Sequence, residues 1–241
     1  MRYAIISDIH SNWEALTAVR KECQKLKMTT LLCVGDIVGY GANPKECLEF
    51  IQKNKIASVA GNHDWAVCGR LDYSHFTPDG KAAIEWSRPR LSFEEITYLA
   101  GLPLVFRNND FMLVHASLQD PEHFHYMFEI EDVIEAFSLM DRAVCFTGHT
   151  HIPGIFIESL GRVYRAPGAE AEIQPNCKYM VNVGSVGQPR DGNPLASYGI
   201  FDTGTQMIEI KRVPYDIPTA QKKIIEAGLP HALADRLAKG L

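Results

Sequence analysis

Short apolar runs open this chain, and each stops abruptly at a polar residue. Residues 3–7, 31–34 and 56–60 are four or five positions long, the length of buried strands rather than helices. The segments between them carry a helical period. Ser11 and Glu14 have the spacing of a capping box, and Leu16, Val19, Cys23 and Leu26 then fall on one helical face. Asn43 and Pro44 form a cap and first-turn pair ahead of Cys47, Leu48 and Ile51. This βαβαβ rhythm predicts parallel strands covered by helices.

The middle of the chain is more helical. Helices are expected over residues 79–87 and 129–140, with Ser92 and Glu95 as a second capping box before Ile96 and Leu99. Residues 104–106 and 111–114 flank Asn108-Asn109, a hairpin turn, and residues 143–147 read as another strand. Beyond residue 151 the pattern shifts to strands at 155–157, 163–164, 179–183, 198–201 and 207–211, separated by Gly, Pro and Asn. Two short helices around Gly228-Leu229-Pro230 end the chain. With no repeat and no low-complexity linker, the sequence reads as one domain over 1–241, with a helical tail over about 216–241.

Composition narrows the partners. Of 241 residues, 46% are hydrophobic and 22% charged, and the net charge of −5 gives no overall pull toward nucleic acid or an acidic membrane. No Lys/Arg-rich run marks a track for extended nucleic acid, and no apolar run approaches a membrane span. Asp8 interrupts the N-terminal apolar run before it reaches signal-peptide length. The six Cys form no C-x-x-C pair, and several sit at apolar helix or strand positions, as reduced buried thiols of a cytoplasmic protein would. A homo-oligomer is compatible with the sequence but not specified by it.

The chemistry lies where the apolar runs end. Five polar clusters stand there: Asp8-Ile9-His10, Gly35-Asp36, Gly61-Asn62-His63-Asp64, His115, and Gly148-His149-Thr150-His151. They offer carboxylate, amide and imidazole ligands for a divalent metal. Ligands in α/β sheets bind beyond the carboxyl ends of strands, which is where Asp8, Asp36 and Asn62 fall. Asp8 and His10 are two apart, as are His149 and His151, so extended backbone would turn each pair to one side. Taken singly, each cluster also fits a solvated turn or cap.

In this order, the series D-x-H, G-D, G-N-H-D, H and G-H-T-H resembles the calcineurin-like metallophosphoesterase superfamily. The segment Asn182-Val183-Gly184-Ser185-Val186-Gly187-Gln188-Pro189-Arg190 resembles its small bacterial phosphodiesterase branch. The resemblance implies a four-layer α-β-β-α sandwich, with two mixed β-sheets flanked by helices. It implies two divalent transition-metal ions (Mn, Fe, Zn, Co or Ni, with Mn favoured in vitro). One would be held by Asp8, His10, Asp36 and His151, and the other by Asp36, Asn62, His115 and His149. His63 would donate a proton to the leaving oxygen, with Asp64 assisting, while the metals activate a hydroxide for attack on phosphorus.

Departures matter as much. The protein-phosphatase branch continues G-D into G-D-x-V-D-R-G, whereas Gly39 and Tyr40 stand here in place of its second Asp and its Arg. That argues against a phosphoprotein substrate and for a small soluble phosphodiester or phosphomonoester. Arg190 and Tyr40 are candidate substrate contacts, as are His123 and His125 in the loop after the His115 strand; His75 and His231 match no motif. Two other readings are a catalytically inactive scaffold of the same fold and a nuclease or dinucleoside polyphosphate hydrolase. His63 argues against the scaffold reading, because the retromer scaffold subunit of the superfamily lacks that residue.

Overall fold

A computed structural model describes all residues, 1–241. The first half builds the expected alternation: β1 (Arg2–Ile6), α1 (Trp13–Lys25), β2 (Thr30–Cys33), α2 (Pro44–Lys53) and β3 (Ala57–Ser58). There follow α3 (Asn62–Cys68), α4 (Pro78–Ser87), α5 (Phe93–Ala100), β4 (Val105–Arg107), β5 (Met112–Val114), α6 (Ile130–Ser138) and β6 (Val144–Thr147). The β-rich part is β7 (Gly154–Ser159), β8 (Arg162–Arg165), β9 (Glu170–Glu172), β10 (Cys177–Asn182), β11 (Ala196–Asp202) and β12 (Met207–Val213), and α7 (Ile217–Glu226) and α8 (His231–Asp235) close the chain.

Two six-stranded mixed sheets result, ordered β3-β2-β1-β11-β12-β9 and β4-β5-β6-β10-β7-β8. The predicted parallel strands are β1 beside β2 and β2 beside β3, but antiparallel β11 completes that sheet on the other side of β1. In the second sheet β6 runs parallel to both β5 and β10. Strand alternation makes the layers. In β1, Tyr3 and Ile5 face Phe111, Phe146 and Tyr179 across the space between the sheets, whereas Ala4 and Ile6 face outward against Leu16, Val19 and Leu48 of α1 and α2. Cys145 and Met180 on the far face of the second sheet are covered by Val133 and Phe137 of α6. Helices outside two facing sheets make the four-layer sandwich that the resemblance implied.

Several local readings are corrected. Asn12, not Ser11, caps α1: its side chain accepts from the Ala15 N–H at 3.1 Å, because Ser11 lies in a left-handed bend with φ 55°. The Asn43 side chain makes no cap bond to α2 and donates to Glu46 instead. Of the turn and cap readings for Asn62-His63-Asp64, the structure shows the first turn of α3, with Gly61 as its cap. Strand β9 carried no sequence signal; its Glu170 and Glu172 flank a single half-buried Ala. The Ser92/Glu95 capping box is present in full, and Asn108 closes the β4–β5 turn by accepting from Asp110 and Phe111.

Candidate metal centre

All the expected ligands sit just past the ends of parallel strands. Asp8 follows β1, Asp36 follows β2, Asn62 comes after β3, His115 follows β5, and His149 and His151 follow β6. Each sheet therefore delivers its share to one edge of the sandwich, and all seven are buried there. They gather as Asp8–His10–His151 and Asp36–His115–His149, with ligand atoms inside each group within 4.8 Å of one another. His10, Asp36 and His63 form a third such group that joins the first two.

The extended backbone expected for D-x-H and H-T-H is not what brings them together. Asp8, His10, Asp36, His149 and His151 all have left-handed backbone, with φ of 51°, 47°, 52°, 67° and 61°. Each such residue costs roughly 1 kcal/mol, a strain typical of functional sites, although Asp and His bear it better than most. The bends also split His149 from His151, so that the two serve different groups.

Hydrogen bonds fix the imidazoles for metal binding. His10 Nδ1 donates to the Val38 carbonyl at 3.1 Å, His115 Nδ1 to Val34 at 2.7 Å, and His151 Nδ1 to Gln188 at 2.6 Å. With the proton held at Nδ1, each Nε2 turns a lone pair inward. His10 Nε2 and His151 Nε2 then face each other at 3.0 Å, an arrangement that calls for a cation between the lone pairs. His149 Nε2 is buried with no partner at all. Asp36 stands between the groups: its Oδ2 lies 3.5 Å from His10 Nε2 and 3.4 Å from His115 Nε2, and its Oδ1 accepts from the His63 backbone at 2.8 Å. Asn62 Oδ1 lies 3.2 Å from His115 Nε2. This mixture of carboxylate, amide and imidazole suits Mn, Fe, Co, Ni or Zn.

Electrostatics agree with a cation site. Burial alone would raise the Asp8 and Asp36 carboxyls, yet the imidazoles around them hold both below the usual range. Burial opposes a charge on His115, but Asp36 and Asp8 lift its pKa to about 9, so without a metal a second proton takes the Nε2 lone pair that a cation would otherwise occupy. His149 is pushed down to about 3 by burial and by His115.

His63 sits beside the ligands in an aromatic pocket. Its ring lies 4.4 Å from Tyr40, 4.9 Å from His10 and 5.1 Å from Phe76, centroid to centroid. Its Nδ1 is buried without a partner and faces Gly39, where the protein-phosphatase branch has an Asp. Burial, then the charge of Arg190, keep it neutral, with a pKa near 4. Asp64 makes no hydrogen bond to the His63 ring. Its Oδ1 accepts from Ile37 and Val38 at 2.9 and 3.2 Å, and its Oδ2 from Gly61 at 3.1 Å. It braces the loop that carries Asp36; burial and the Asp36 charge push its pKa up to about 7 against those three N–H groups.

The four expected substrate contacts divide. Tyr40 packs on His10 and His63, and the Arg190 guanidinium lies 5.6 Å from the Tyr40 ring. His123 and His125 are exposed and group with Asp120 instead. They share no hydrogen bond or ring contact with the centre. Phe124 between them is the inward residue, with its ring 5.9 Å from His115 and 5.6 Å from Trp65. Tyr126 stacks on His149 at 4.0 Å. Sequence reasoning missed Phe76, Phe124 and Tyr126; each lies in a loop, where no periodicity marks a side chain that packs on the centre.

Paired sheets that gather carboxylates and imidazoles at their parallel strand ends define a metallophosphoesterase fold. The chain belongs to the calcineurin-like phosphoesterase superfamily, whose domain model matches residues 1–206. It is 41% identical over 243 aligned positions, spanning 98% of this chain and 97% of the relative, to an uncharacterized protein of Methanocaldococcus jannaschii, MJ0912. It also resembles the crystal structure of a metallophosphoesterase from Sphaerobacter thermophilus, with TM-score 0.87, 38% identity, and 100% and 99% of the two chains covered. A hypothetical protein from Pyrococcus horikoshii, PH1004, shares the fold at TM-score 0.81 and 19% identity over 100% and 98% of the chains.

Proposed function

We propose that the protein is a binuclear metal-dependent phosphoesterase acting on small soluble substrates, with phosphodiesters preferred. The observation that carries this is Asp36: one carboxylate oxygen reaches toward ligands of both groups, as a bridging ligand must. Asp8, His10, Asp36 and His151 would hold one ion, and Asp36, Asn62, His115 and His149 the other. When bound, the ions supply Lewis acidity at phosphorus and a water acidic enough to ionise near neutral pH.

The chain's own residues do the rest. The carbonyls of Val34, Val38 and Gln188 keep the proton on Nδ1 of three imidazoles. Tyr40, Phe76 and Tyr126 enclose the centre and limit water. His63, neutral in the free site, stands close enough to His10 and Asp36 to pass a proton to the leaving oxygen once an anionic phosphoryl group beside it raises its pKa. Gly39 and Tyr40, in place of Asp and Arg, favour a small phosphoester over a phosphoprotein. Residues 207–241 lie beyond the matched family segment, and we take them as part of the same functional unit because Tyr40 packs among Leu233 and Leu237 of the tail. All six Cys are free thiols, which supports a cytoplasmic setting, and no helix is long and apolar enough to cross a membrane.

Protein purified without chelator should hydrolyse bis-p-nitrophenyl phosphate or its monoester when Mn²⁺ is added; no turnover of either with Mn²⁺, Co²⁺, Ni²⁺ or Zn²⁺ would refute the reading. His63→Ala should keep its metal and lose roughly 10²- to 10⁴-fold in rate on esters with poor leaving groups. Full activity of that variant on such esters would remove His63 as proton donor.

A further inference from the structure

Two guanidinium groups meet beside the His10–His151 side of the centre, and neither has a carboxylate within 4.0 Å. Arg190 Nε and Nη2 donate to Gln188 Oε1 at 3.2 and 2.8 Å, and Arg236 Nη1 donates to the same oxygen at 3.3 Å. One neutral amide oxygen thus receives two cations and neutralises neither. Burial first, then the Arg190 charge, depress the Arg236 pKa, while Tyr40 and the more distant Asp79 act in the opposite sense. Two like charges kept together at this spacing destabilise the free protein, and an incoming anion removes that cost.

The hub that holds them is rigid. Gln188 is 2% exposed. Its N–H donates to Ser185 Oγ at 2.7 Å, and its carbonyl accepts from His151 Nδ1 at 2.6 Å. Ser185 Oγ in turn donates to the Asp8 carbonyl at 2.8 Å, and the Arg190 N–H donates to the His151 carbonyl at 3.3 Å. The guanidiniums are therefore registered against two of the expected ligands. Arg236 arrives from the other end of the chain. Leu233 and Leu237 pack with Tyr40, Ala83 and Ala220, and the Gly192 N–H donates to the Gly240 carbonyl at 2.9 Å, which fastens the tail to the loop after Arg190. Arg236 also lies outside residues 1–206, the part matched by the family model.

We propose that Arg190 and Arg236 form an anion subsite next to the metal centre that takes a dianionic phosphoryl group. Two planar forks that converge on one Gln188 oxygen suit the three terminal oxygens of such a group better than the single charge of a plain diester. Its place in turnover rests on the phosphoesterase reading of the neighbouring centre; its binding chemistry does not. The dianion has two sources: the scissile group of a monoester, or a second, non-scissile phosphoryl group on a diester.

Inorganic phosphate titrated calorimetrically into the metal-loaded protein tests the subsite without turnover. Arg236→Gln should raise the Kd roughly tenfold, the worth of one charge-assisted contact, and Arg236→Lys should recover part of that loss. An unchanged Kd in Arg236→Gln overturns the proposal. Kinetics then identify the source. Three substrates serve: p-nitrophenyl phosphate, thymidine 5′-(p-nitrophenyl phosphate), and the latter carrying a 3′-phosphate. Relative to the plain diester, KM should rise roughly tenfold more in Arg236→Gln on the monoester if the scissile group is bound, or on the 3′-phosphorylated diester if the second group is bound. An equal change on all three overturns the subsite, whereas absence of turnover in the wild type overturns only the phosphoesterase reading.

Discussion

At Gly39 the backbone takes φ +99°, and an added Cβ would stand 2.6 Å from His63 Nδ1. The chain has traded a supporting carboxylate for space, so His63 is positioned by ring packing against Tyr40, His10 and Phe76 rather than by a hydrogen bond. Gly39→Ala therefore meets both a strained φ and a clash, and should destabilise the protein by about 1–3 kcal/mol. Urea unfolding checks this, and a midpoint equal to wild type would contradict it. Asp64 illustrates the same scale. Its neighbour in sequence is the His63 side chain, but its partners in space are three backbone N–H groups. Adjacency in sequence told what was near and not what was touched, because the first turn of α3 turns successive side chains about 100° apart.

Among the elements, the segment between β5 and α6 matters most to the site. Residue 124 is buried while 123 and 125 are exposed, and Phe124 buttresses His115 and His149. Phe124→Ala should cost about 3–5 kcal/mol of stability if the loop does not collapse into the space. It should also release metal more readily from the His115–His149 side. Thermal unfolding with and without a chelator reads both effects; a variant as stable and as metal-retentive as wild type would contradict this role. The sequence made the strands and their terminal clusters legible, since short apolar runs and abrupt polar ends are direct consequences of burial on both faces. It concealed how the ends bend, because left-handed Asp and His carry no signature of their own. It also concealed loop aromatics such as Phe76 and Phe124, whose inward placement depends on the fold around them.

For the molecule as a whole, two sheets with parallel strands pointing to one edge bring residues 8 to 151 into one centre, and Asp36 lies where the two ligand groups meet. The tail then adds Arg236 from the far end of the chain. Four of the seven expected ligands follow strands of the first sheet and three follow strands of the second, so metal binding should tie the sandwich together as well as equip it for chemistry. The most direct test is the metal bound per chain, measured by mass spectrometry of protein reconstituted with excess Mn²⁺ and desalted. On the proposed binuclear reading the wild type should keep about two equivalents, and Asp36→Asn should lose most of both because one carboxylate would serve the pair. A wild-type chain that keeps none, or an Asp36→Asn chain that keeps as much as wild type, would contradict the account.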